Sequence, residues 1–168
     1  KIKDNGCGMS REDCELALQR HTTSKIFTDN DLWKISTMGF RGEALASIAS
    51  VSKMVLKSRR KEDLSGTEVD CEGGEIRFIK EIGMSTGTQI EVFNLFFNTP
   101  ARQKYLKKES TEFGHIVGTF NMIALAHPKI AFKLIADGRI VSELSKSTDL
   151  ISRIADIFGK PTSDAMLP

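Results

Sequence analysis

The sequence lacks long apolar runs and a large excess of one charge. No stretch approaches the ~20 consecutive apolar residues that a membrane helix needs, and no charged leader precedes an apolar segment with a small-residue cleavage site. We therefore expect neither a membrane protein nor a secreted one. The 24 Lys and Arg residues nearly balance the 22 Asp and Glu residues, which leaves a net charge of +2. Any basic surface for nucleic acid must therefore be local.

Paired cysteines and clustered histidines are also absent from the sequence. The three cysteines, Cys7, Cys14 and Cys71, show no Cys-x-x-Cys spacing, which argues against a disulfide framework and against a zinc site. The three histidines lack the spacing of metal ligands. A reducing cytosol fits this composition best. Because the chain begins at Lys1 without an initiator Met, we expect a fragment of a longer protein.

The sequence does contain enough apolar residues for a core, and its first part has helical patterns. Hydrophobic residues make up 40% of the 168 positions, which suffices for one domain. Ser10 and Asp13 have the spacing of a capping box and predict a helix over residues 11–20. A second capping pattern predicts a short helix before Gly39, and a third helix should begin just after Gly42.

Alternating, β-branched patterns replace the helical ones from Val51 onward. Four strands are predicted as an antiparallel meander, over residues 51–58, 66–72, 75–81 and 87–94. Thr99-Pro100 ends this pattern, and a later apolar stripe over residues 113–124 predicts a helix that stops before Pro128.

The last part of the chain predicts a hairpin and one more helix. Residues 130–136 and 139–144 alternate around Asp137-Gly138, which is typical of a type I′ turn. Residues 150–158 then predict a helix that ends at Gly159. This order of elements predicts an α+β fold rather than a doubly wound parallel sheet.

An acidic residue beside two glycines is the first candidate for ligand binding. The run is Asp4-Asn5-Gly6-Cys7-Gly8. Glycines let a ligand approach the backbone closely, and a carboxylate can accept a hydrogen bond from an amino group such as that of adenine. The same run is typical of an ordinary turn, and taken alone it favours the turn by about three to one.

Two later segments have the chemistry of phosphate sites. Residues 22–25 offer hydroxyls and an ammonium group, which suit phosphate oxygens and equally suit a solvent-exposed loop. Residues 39–45 place Arg41 in a glycine-rich turn before a helix, where free amides and the helix dipole favour an anion. The Walker A spacing and the Gly-x-Gly-x-x-Gly fingerprint are both absent.

Two longer strings carry a family resemblance. They are Gly39-Phe40-Arg41-Gly42-Glu43-Ala44-Leu45-Ala46-Ser47-Ile48 and Asn98-Thr99-Pro100-Ala101-Arg102-x-Lys104-Tyr105-Leu106, with Thr23-Ser24-Lys25 ahead of the first. With these strings, nearly the whole chain resembles the MutL family of DNA mismatch repair proteins. Type II topoisomerases, histidine kinases and heat-shock chaperones of the same GHKL, or Bergerat-fold, ATPase superfamily share the Asp-x-Gly-x-Gly motif but not these strings.

The resemblance implies a fold and a domain arrangement. The expected fold is α+β, a two-layer α/β sandwich of the GHKL type with a mainly antiparallel sheet. Residues 1–146 would form the ATPase domain. Residues 147–168 would begin a second domain, of the transducer type and similar to ribosomal protein S5.

The resemblance also implies the residues of an ATP site. Asp4 would bind the adenine amino group, and Thr88 would support Asp4 and an adenine-bound water. Gly6 and Gly8 would give the nucleotide room. The expected phosphate contacts are Thr23, Ser24, Lys25, Gly39, Phe40, Arg41, Gly42 and Leu45.

The catalytic part of that family's site is expected outside the chain. Its first motif carries the glutamate that polarises the attacking water and the asparagine that holds Mg²⁺, and it would precede Lys1. We therefore predict no catalytic residue and no metal ligand among these positions. Glu43 is interpreted as an acid at a helix N-terminus. Cys7 is expected to be a small buried thiol beside the base.

A basic segment is a candidate DNA surface. Its four charges in seven residues are Arg102, Lys104, Lys107 and Lys108. Such a run is usually a solvated face. For a relative of a DNA repair factor, sequence-independent contact with phosphates is a second interpretation.

The implied function is the ATP-binding part of a mismatch repair ATPase, with ATP and Mg²⁺ as ligands. ATP binding and slow hydrolysis would drive conformational switching and dimerisation. The implied partners are DNA, a mismatch-recognition protein of the MutS type, and a second chain in a homo- or heterodimer. The expected location is the cytoplasm of a prokaryote or the nucleus of a eukaryote. The alternatives are a topoisomerase-type or chaperone-type GHKL ATPase, and a non-enzymatic DNA-binding module.

Overall fold

The computed structural model describes residues 1–19 and 42–166, in two compact units, Lys1–Tyr105 and Leu106–Pro168. The helix predicted just before Gly39 lies outside the described residues. The domain boundary expected between residues 146 and 147 stays a prediction. None of the helices in the two described ranges is long and apolar enough to cross a membrane.

The described part of the first unit combines a five-stranded sheet with three short helices. In chain order the elements are β1 (Ile2–Lys3), α1 (Arg11–Leu16), α2 (Ala44–Ala49), β2 (Lys53–Arg59), β3 (Gly66–Glu72), β4 (Glu75–Ile82), β5 (Gly87–Phe93) and α3 (Pro100–Lys104). The strand order is β1-β5-β2-β3-β4, and every pairing in this sheet is antiparallel. The predicted α+β fold with a mainly antiparallel sheet is confirmed.

The four predicted strands are present, but the expected meander is wrong for β5. The strands β2, β3 and β4 are neighbours in sequence order, whereas β5 returns to pair with β2, with Thr88 opposite Ser58. The free edge of β5 then pairs with the short β1, which the sequence pattern did not predict. Alternation specifies which face of a strand is buried and carries no information about its neighbour. Met54 and Leu56 on β2 are 1% and 0% exposed, as expected for a strand with a neighbour on each side.

The core of the first unit lies on one face of the sheet. Side chains from the central strands pack there with side chains from and just after the first two helices, and the buried cluster is Cys14, Leu18, Ala49, Met54, Leu56, Val69 and Cys71. Burial of a side chain such as Leu56 contributes about 1.5–3 kcal/mol. The predicted capping box is present at Ser10 and Asp13, although α1 ends at Leu16 rather than at residue 20.

A cluster of ion pairs lies on the opposite face of the sheet. Glu68 on β3 lies between Lys57 on β2 and Lys80 on β4, and its carboxylate is 2.9 Å and 2.8 Å from their ammonium nitrogens. The hydrogen bonds from Lys80 and Lys57 lower the pKa of the Glu68 carboxyl below its usual value. Glu68 is only 8% exposed, so this pairing satisfies a carboxylate that would otherwise be costly to bury.

The described part of the second unit contains three helices and a hairpin. The elements are α4 (Glu109–Ala126), β6 (Phe132–Ala136), β7 (Arg139–Leu144), α5 (Leu150–Phe158) and α6 (Lys160–Asp164). Asp137 and Gly138 join β6 to β7, and both have positive φ angles, as the predicted type I′ turn requires. The helix α6 was not predicted.

Buried polar contacts hold the second unit together. Arg153 on α5 is fully buried, and its Nη2 donates to the carbonyls of Pro128, Ile130 and Ser145 at 2.6–2.8 Å. The ring of Phe132 lies 5.8 Å from the Arg153 guanidinium carbon. These bonds tie α5 to both ends of the hairpin.

Candidate functional site

Asp4 follows β1, opposite the beginning of β5. The pairing of Ile2 with Ile90 and of Lys3 with Gln89 places Asp4 opposite Thr88, and the Asp4 N–H donates to the Thr88 carbonyl at 2.8 Å. Because side chains alternate along a strand, Asp4 and Thr88 share the core face with Ile90. The two residues therefore stand side by side at the edge of the core, where sequence analysis placed an adenine site.

The Asp4 carboxylate is held through one of its two oxygens. Its Oδ1 accepts from the Gly6 N–H at 2.9 Å and from the Thr88 N–H at 3.2 Å. Its Oδ2 accepts no hydrogen bond from the described residues, and the side chain is exposed. The contact of Thr88 with the Asp4 carboxylate is made by the Thr88 backbone amide. The carboxylate is fixed in direction, with one oxygen available to a donor.

A buried serine that the sequence analysis missed lies behind this pair. Ser58 on β2 is 1% exposed and is opposite Thr88 in the sheet. Its Oγ accepts from the Met9 N–H at 2.8 Å, lies 2.9 Å from the Thr88 Oγ1 and donates to the Gly87 carbonyl at 3.1 Å. One signal was available: Ser58 is a polar residue in the alternating buried positions that Met54 and Leu56 occupy.

Two glycines allow the backbone segments of this site to approach one another. Gly8 has a φ of +75°, and a Cβ there would lie 2.0 Å from the Arg59 carbonyl oxygen. Gly87 has a φ of +126°, and a Cβ there would lie 2.2 Å from the Asp4 carbonyl oxygen. These glycines are required by the packing of the chain against itself. The expectation that Gly6 and Gly8 give a nucleotide room stays a prediction.

The beginning of α2 is the described part of the expected phosphate site. Gly42 has a φ of +64°, and Glu43 is the N-cap residue, whose side chain makes no capping hydrogen bond. The first hydrogen bond of the helix joins the Ser47 N–H to the Glu43 carbonyl. The amides that come before Ser47 in the first turn therefore have no acceptor within the helix. Leu45 packs against the core cluster. The other expected phosphate contacts, Thr23, Ser24, Lys25, Gly39, Phe40 and Arg41, lie outside the described residues.

A hydrogen bond connects the second of the two strings that carried the resemblance to the residues that directly follow the first string. The Asn98 side-chain amide donates to the carbonyl of Ser50, the C-cap residue of α2, at 2.9 Å. In the same region the Phe96 N–H donates to the Val51 carbonyl at 2.6 Å. The segment after β5 is therefore anchored to the end of α2.

Curated relatives match this chain over almost all of its length. The MutL mismatch repair protein of Geobacter sulfurreducens is 48% identical over 168 residues, which are 100% of this chain and 28% of that protein. The MutL protein of Streptococcus pyogenes serotype M5 is 50% identical over 167 residues, which are 99% of this chain and 25% of that protein. No family model matches the chain.

A solved structure agrees with these relatives. The Aquifex aeolicus MutL ATPase domain complexed with ADP superimposes with a TM-score of 0.74 at 37% identity, over 93% of this chain and 55% of that one. The chain belongs to the MutL family. It spans about a quarter of the length of the curated MutL relatives. The match to MutL proteins favours this family over the topoisomerase-type and chaperone-type ATPases that share the shorter motif.

One expectation about the MutL-like site is wrong. Cys7 was expected to be buried beside the base, yet its side chain is exposed, whereas Cys14 and Cys71 are buried. The turn that brings Gly8 against Arg59 leaves Cys7 on the outside, since the close backbone contact is made one residue later. Burial raises the pKa of the Cys14 thiol to about 11, so that side chain is an unreactive core residue.

The described residues hold no ready-made metal site. Within residues 1–19 and 42–166, no group of three or more His, Cys, Asp or Glu side chains is arranged to hold a metal ion. The donors within these two ranges therefore do not by themselves fit a Mg²⁺ ion.

The candidate DNA residues are exposed but fall in different units. Arg102 and Lys104 lie on or at the end of α3 in the first unit, and Lys107 and Lys108 lie in the second. All four side chains are exposed. The Lys107 backbone N–H donates to the Glu112 carboxylate at 2.8 Å. Their contact with DNA stays a prediction.

Proposed function

We propose that this chain is the nucleotide-binding part of a MutL-type mismatch repair ATPase. ATP binding and slow, Mg²⁺-dependent hydrolysis by the full gene product drive conformational switching, dimerisation and coordination of repair on DNA. The observation that carries the proposal is the Asp4 carboxylate, which two backbone amides hold by one oxygen. The homologous Aquifex aeolicus domain, with ADP bound, supports a nucleotide as the ligand.

The chemistry of Asp4 suits an exocyclic amino group. An ionised carboxylate can only accept hydrogen bonds, and the Oδ1 already accepts two. The Oδ2 would accept one proton of the adenine amino group. Guanine has a carbonyl oxygen at the equivalent ring position, and that oxygen would face the carboxylate without a proton between them. A hydrogen bond to a charged group contributes about 1.5–3 kcal/mol, so Asp4 can favour adenine strongly.

The phosphates and the chemistry of hydrolysis involve other parts of the gene product. We propose that the amides at the beginning of α2 and residues 23–25 and 39–42 bind the phosphates. Following the family resemblance, we propose that the general base and the Mg²⁺ ligand come from residues other than these 168; among residues 1–19 and 42–166 no group of three or more His, Cys, Asp or Glu side chains is arranged to hold a metal ion. The isolated chain accordingly binds nucleotide without turning it over.

The partners follow from the role of the family. We propose sequence-independent binding to DNA, contact with a mismatch-recognition protein of the MutS type, and dimerisation with a second MutL-type chain when ATP is bound. The proposed location is the cytoplasm of a prokaryote or the nucleus of a eukaryote. No membrane partner is proposed.

Asp4→Asn in the full gene product tests the adenine role. The variant keeps an oxygen for the Gly6 and Thr88 amides and replaces the outer oxygen by an NH₂ donor, which would face the donor of adenine. ATP should bind at least about tenfold more weakly, as expected from the loss of a charged hydrogen bond. Titration calorimetry with a non-hydrolysable ATP analogue measures the change.

A matched control separates this effect from the general loss of a carboxylate. Asp156→Asn on α5 makes the same chemical change at an exposed side chain outside the site. That variant should bind the ATP analogue as the parent does. If Asp4→Asn also binds with unchanged affinity while melting at the temperature of the parent, Asp4 is a turn residue and the proposed adenine site is wrong.

A further inference from the structure

The hydroxyl of Ser58 has three polar neighbours, and their chemistry determines where its proton goes. The Met9 N–H can only donate, and the Gly87 carbonyl can only accept. They lie 2.8 Å and 3.1 Å from the Ser58 Oγ. The Thr88 hydroxyl, 2.9 Å away, could donate or accept. All three contacts can be hydrogen bonds at once only when the single Ser58 proton points to Gly87 and one Ser58 lone pair accepts from Met9.

The Thr88 hydroxyl must then take the donor role toward Ser58. The two hydroxyl oxygens are 2.9 Å apart, and Ser58 has a lone pair left but no proton. Thr88 consequently directs its own proton at Ser58. Its lone pairs remain available on the other side, where the side chain is only partly buried. Thr88 is thereby fixed as an acceptor toward any ligand.

Asp4 and Thr88 together would present only hydrogen-bond acceptors to a ligand. The two residues are opposite one another at the β1–β5 pairing, and the Thr88 amide binds the Asp4 carboxylate. The Asp4 Oδ2 is an acceptor because it is a carboxylate oxygen, and Thr88 is an acceptor because Ser58 takes its proton. An amino group with two protons, or a water that it binds, meets acceptors only.

We propose that Ser58 is a positioning residue that determines base specificity by holding Thr88 as an acceptor. The inference rests on the proposed ATP function. Without the Ser58 oxygen, the Thr88 hydroxyl is free to rotate and to donate a proton to the ligand. Guanine, whose ring carbonyl needs a donor, would then bind better than it does in the parent. Ser58 acts without touching the nucleotide.

The test is the ratio of ATP affinity to GTP affinity in Ser58→Ala, measured in the full gene product with the non-hydrolysable imido analogues. The ratio should fall about fivefold or more, which is the size expected for one neutral hydrogen bond. Ser58→Thr, which keeps a hydroxyl, should restore the ratio. A change in overall stability alone would weaken both affinities together and leave the ratio unchanged.

Ser52→Ala is the matched control. Ser52 directly precedes β2 and is also fully buried. Its Oγ donates to the Ile48 carbonyl at 2.7 Å and makes no hydrogen bond to Met9 or Thr88. Its loss removes a buried serine hydroxyl of the same kind. The affinity ratio of this variant should equal that of the parent.

A double-mutant cycle tests whether Ser58 acts through Thr88. In a Thr88→Val background there is no hydroxyl to orient, so Ser58→Ala should produce no further change in the ratio. An additional fall in that background would overturn the mechanism. If Ser58→Ala does not fold, Ser58→Cys keeps the volume with a poorer hydrogen-bonding group, and its ratio decides in the same way.

The outcomes also separate this inference from the proposed function. If the parent protein binds neither analogue, the ATP function itself fails. If the parent binds ATP and the ratio in folded Ser58 variants equals that of the parent, only the role of Ser58 is overturned. A lowered ratio that Ser58→Thr restores supports both.

Discussion

At the scale of the residue, the two oxygens of the Asp4 carboxylate have different roles in the candidate site. The Asp4 Oδ1 is used by the Gly6 and Thr88 amides, which leaves the Oδ2 for a donor from outside. A carboxylate that accepts backbone amides is rigid, so a ligand that meets it does not have to order it first. The exposed position of Asp4 is therefore compatible with selective binding.

Gly8 is the residue at which we expect the site to tolerate substitution least. In Gly8→Ala the new Cβ would lie 2.0 Å from the Arg59 carbonyl oxygen, at a φ of +75° that alanine rarely adopts. The strain and the forced movement of the backbone should cost about 2–4 kcal/mol of unfolding free energy. Chemical denaturation of the full gene product measures this cost.

Gly83→Ala is the control for the loss of a glycine. A Cβ at Gly83 meets nothing within 4 Å, and its φ is not positive. This variant should unfold within about 0.5 kcal/mol of the parent. Equal stability of the Gly8 and Gly83 variants would show that the turn accommodates a Cβ without strain. The glycine at position 8 would then be required for ligand binding and not for the fold.

At the scale of the element, the sequence predicted what short-range patterns specify. The capping box at Ser10 and the turn at Asp137-Gly138 are both present, because each depends on residues within a few positions. Alternation located β2 to β5 to within a few residues for the same reason. These elements are fixed by local hydrogen bonds and by the burial of one face.

Long-range pairing explains what the sequence did not predict. The return of β5 to β2 brings Thr88 to Ser58, 30 positions earlier in the chain. The pairing of β1 with β5 joins Asp4 to Thr88 across 84 positions. No local pattern encodes such contacts, so Ser58 was overlooked. Asp4 was a candidate from its glycine-rich run, whereas Thr88 was identified only through the family resemblance.

The N-terminus of α5 gives a pH-dependent prediction. The Asp149 carboxylate accepts from the Ser152 N–H at 2.8 Å and from the Ser152 and Thr148 hydroxyls, and these bonds lower the pKa of Asp149 below its usual value. A lowered pKa in the folded state means that the stabilisation is complete above the unfolded pKa, about 3.9. It is lost as the pH falls through the folded value.

Asp149→Ala should therefore destabilise the protein at pH 7, and the difference from the parent should shrink below about pH 4. Thermal unfolding of both proteins between pH 7 and pH 3 measures this difference. Asp156→Ala on the same helix removes an exposed carboxylate that caps nothing and should show no such trend. A difference that grows on acidification would contradict the cap assignment.

At the scale of the whole molecule, the balance of charge limits how DNA can be bound. A net charge of +2 provides no general attraction for a polyanion, so binding must come from local groups of unpaired cations. Many cations on the sheet are already paired, as Lys57 and Lys80 are with Glu68. Arg102 and Lys104 are exposed and have no ion-pair partner among the described residues.

The salt dependence of DNA binding is the measurement that tests these cations. Binding by the full gene product should be insensitive to sequence and should fall steeply with salt, because Lys and Arg release counterions from the phosphates. If Arg102 and Lys104 each contact a phosphate, the variant Arg102→Ala/Lys104→Ala should flatten the slope of log affinity against log salt by roughly two units at most. Lys129→Ala/Lys146→Ala, which removes two exposed lysines of the second unit, should leave the slope unchanged. An unchanged slope for the first variant, with ATP still bound as in the parent, would place the DNA surface on other residues of the gene product.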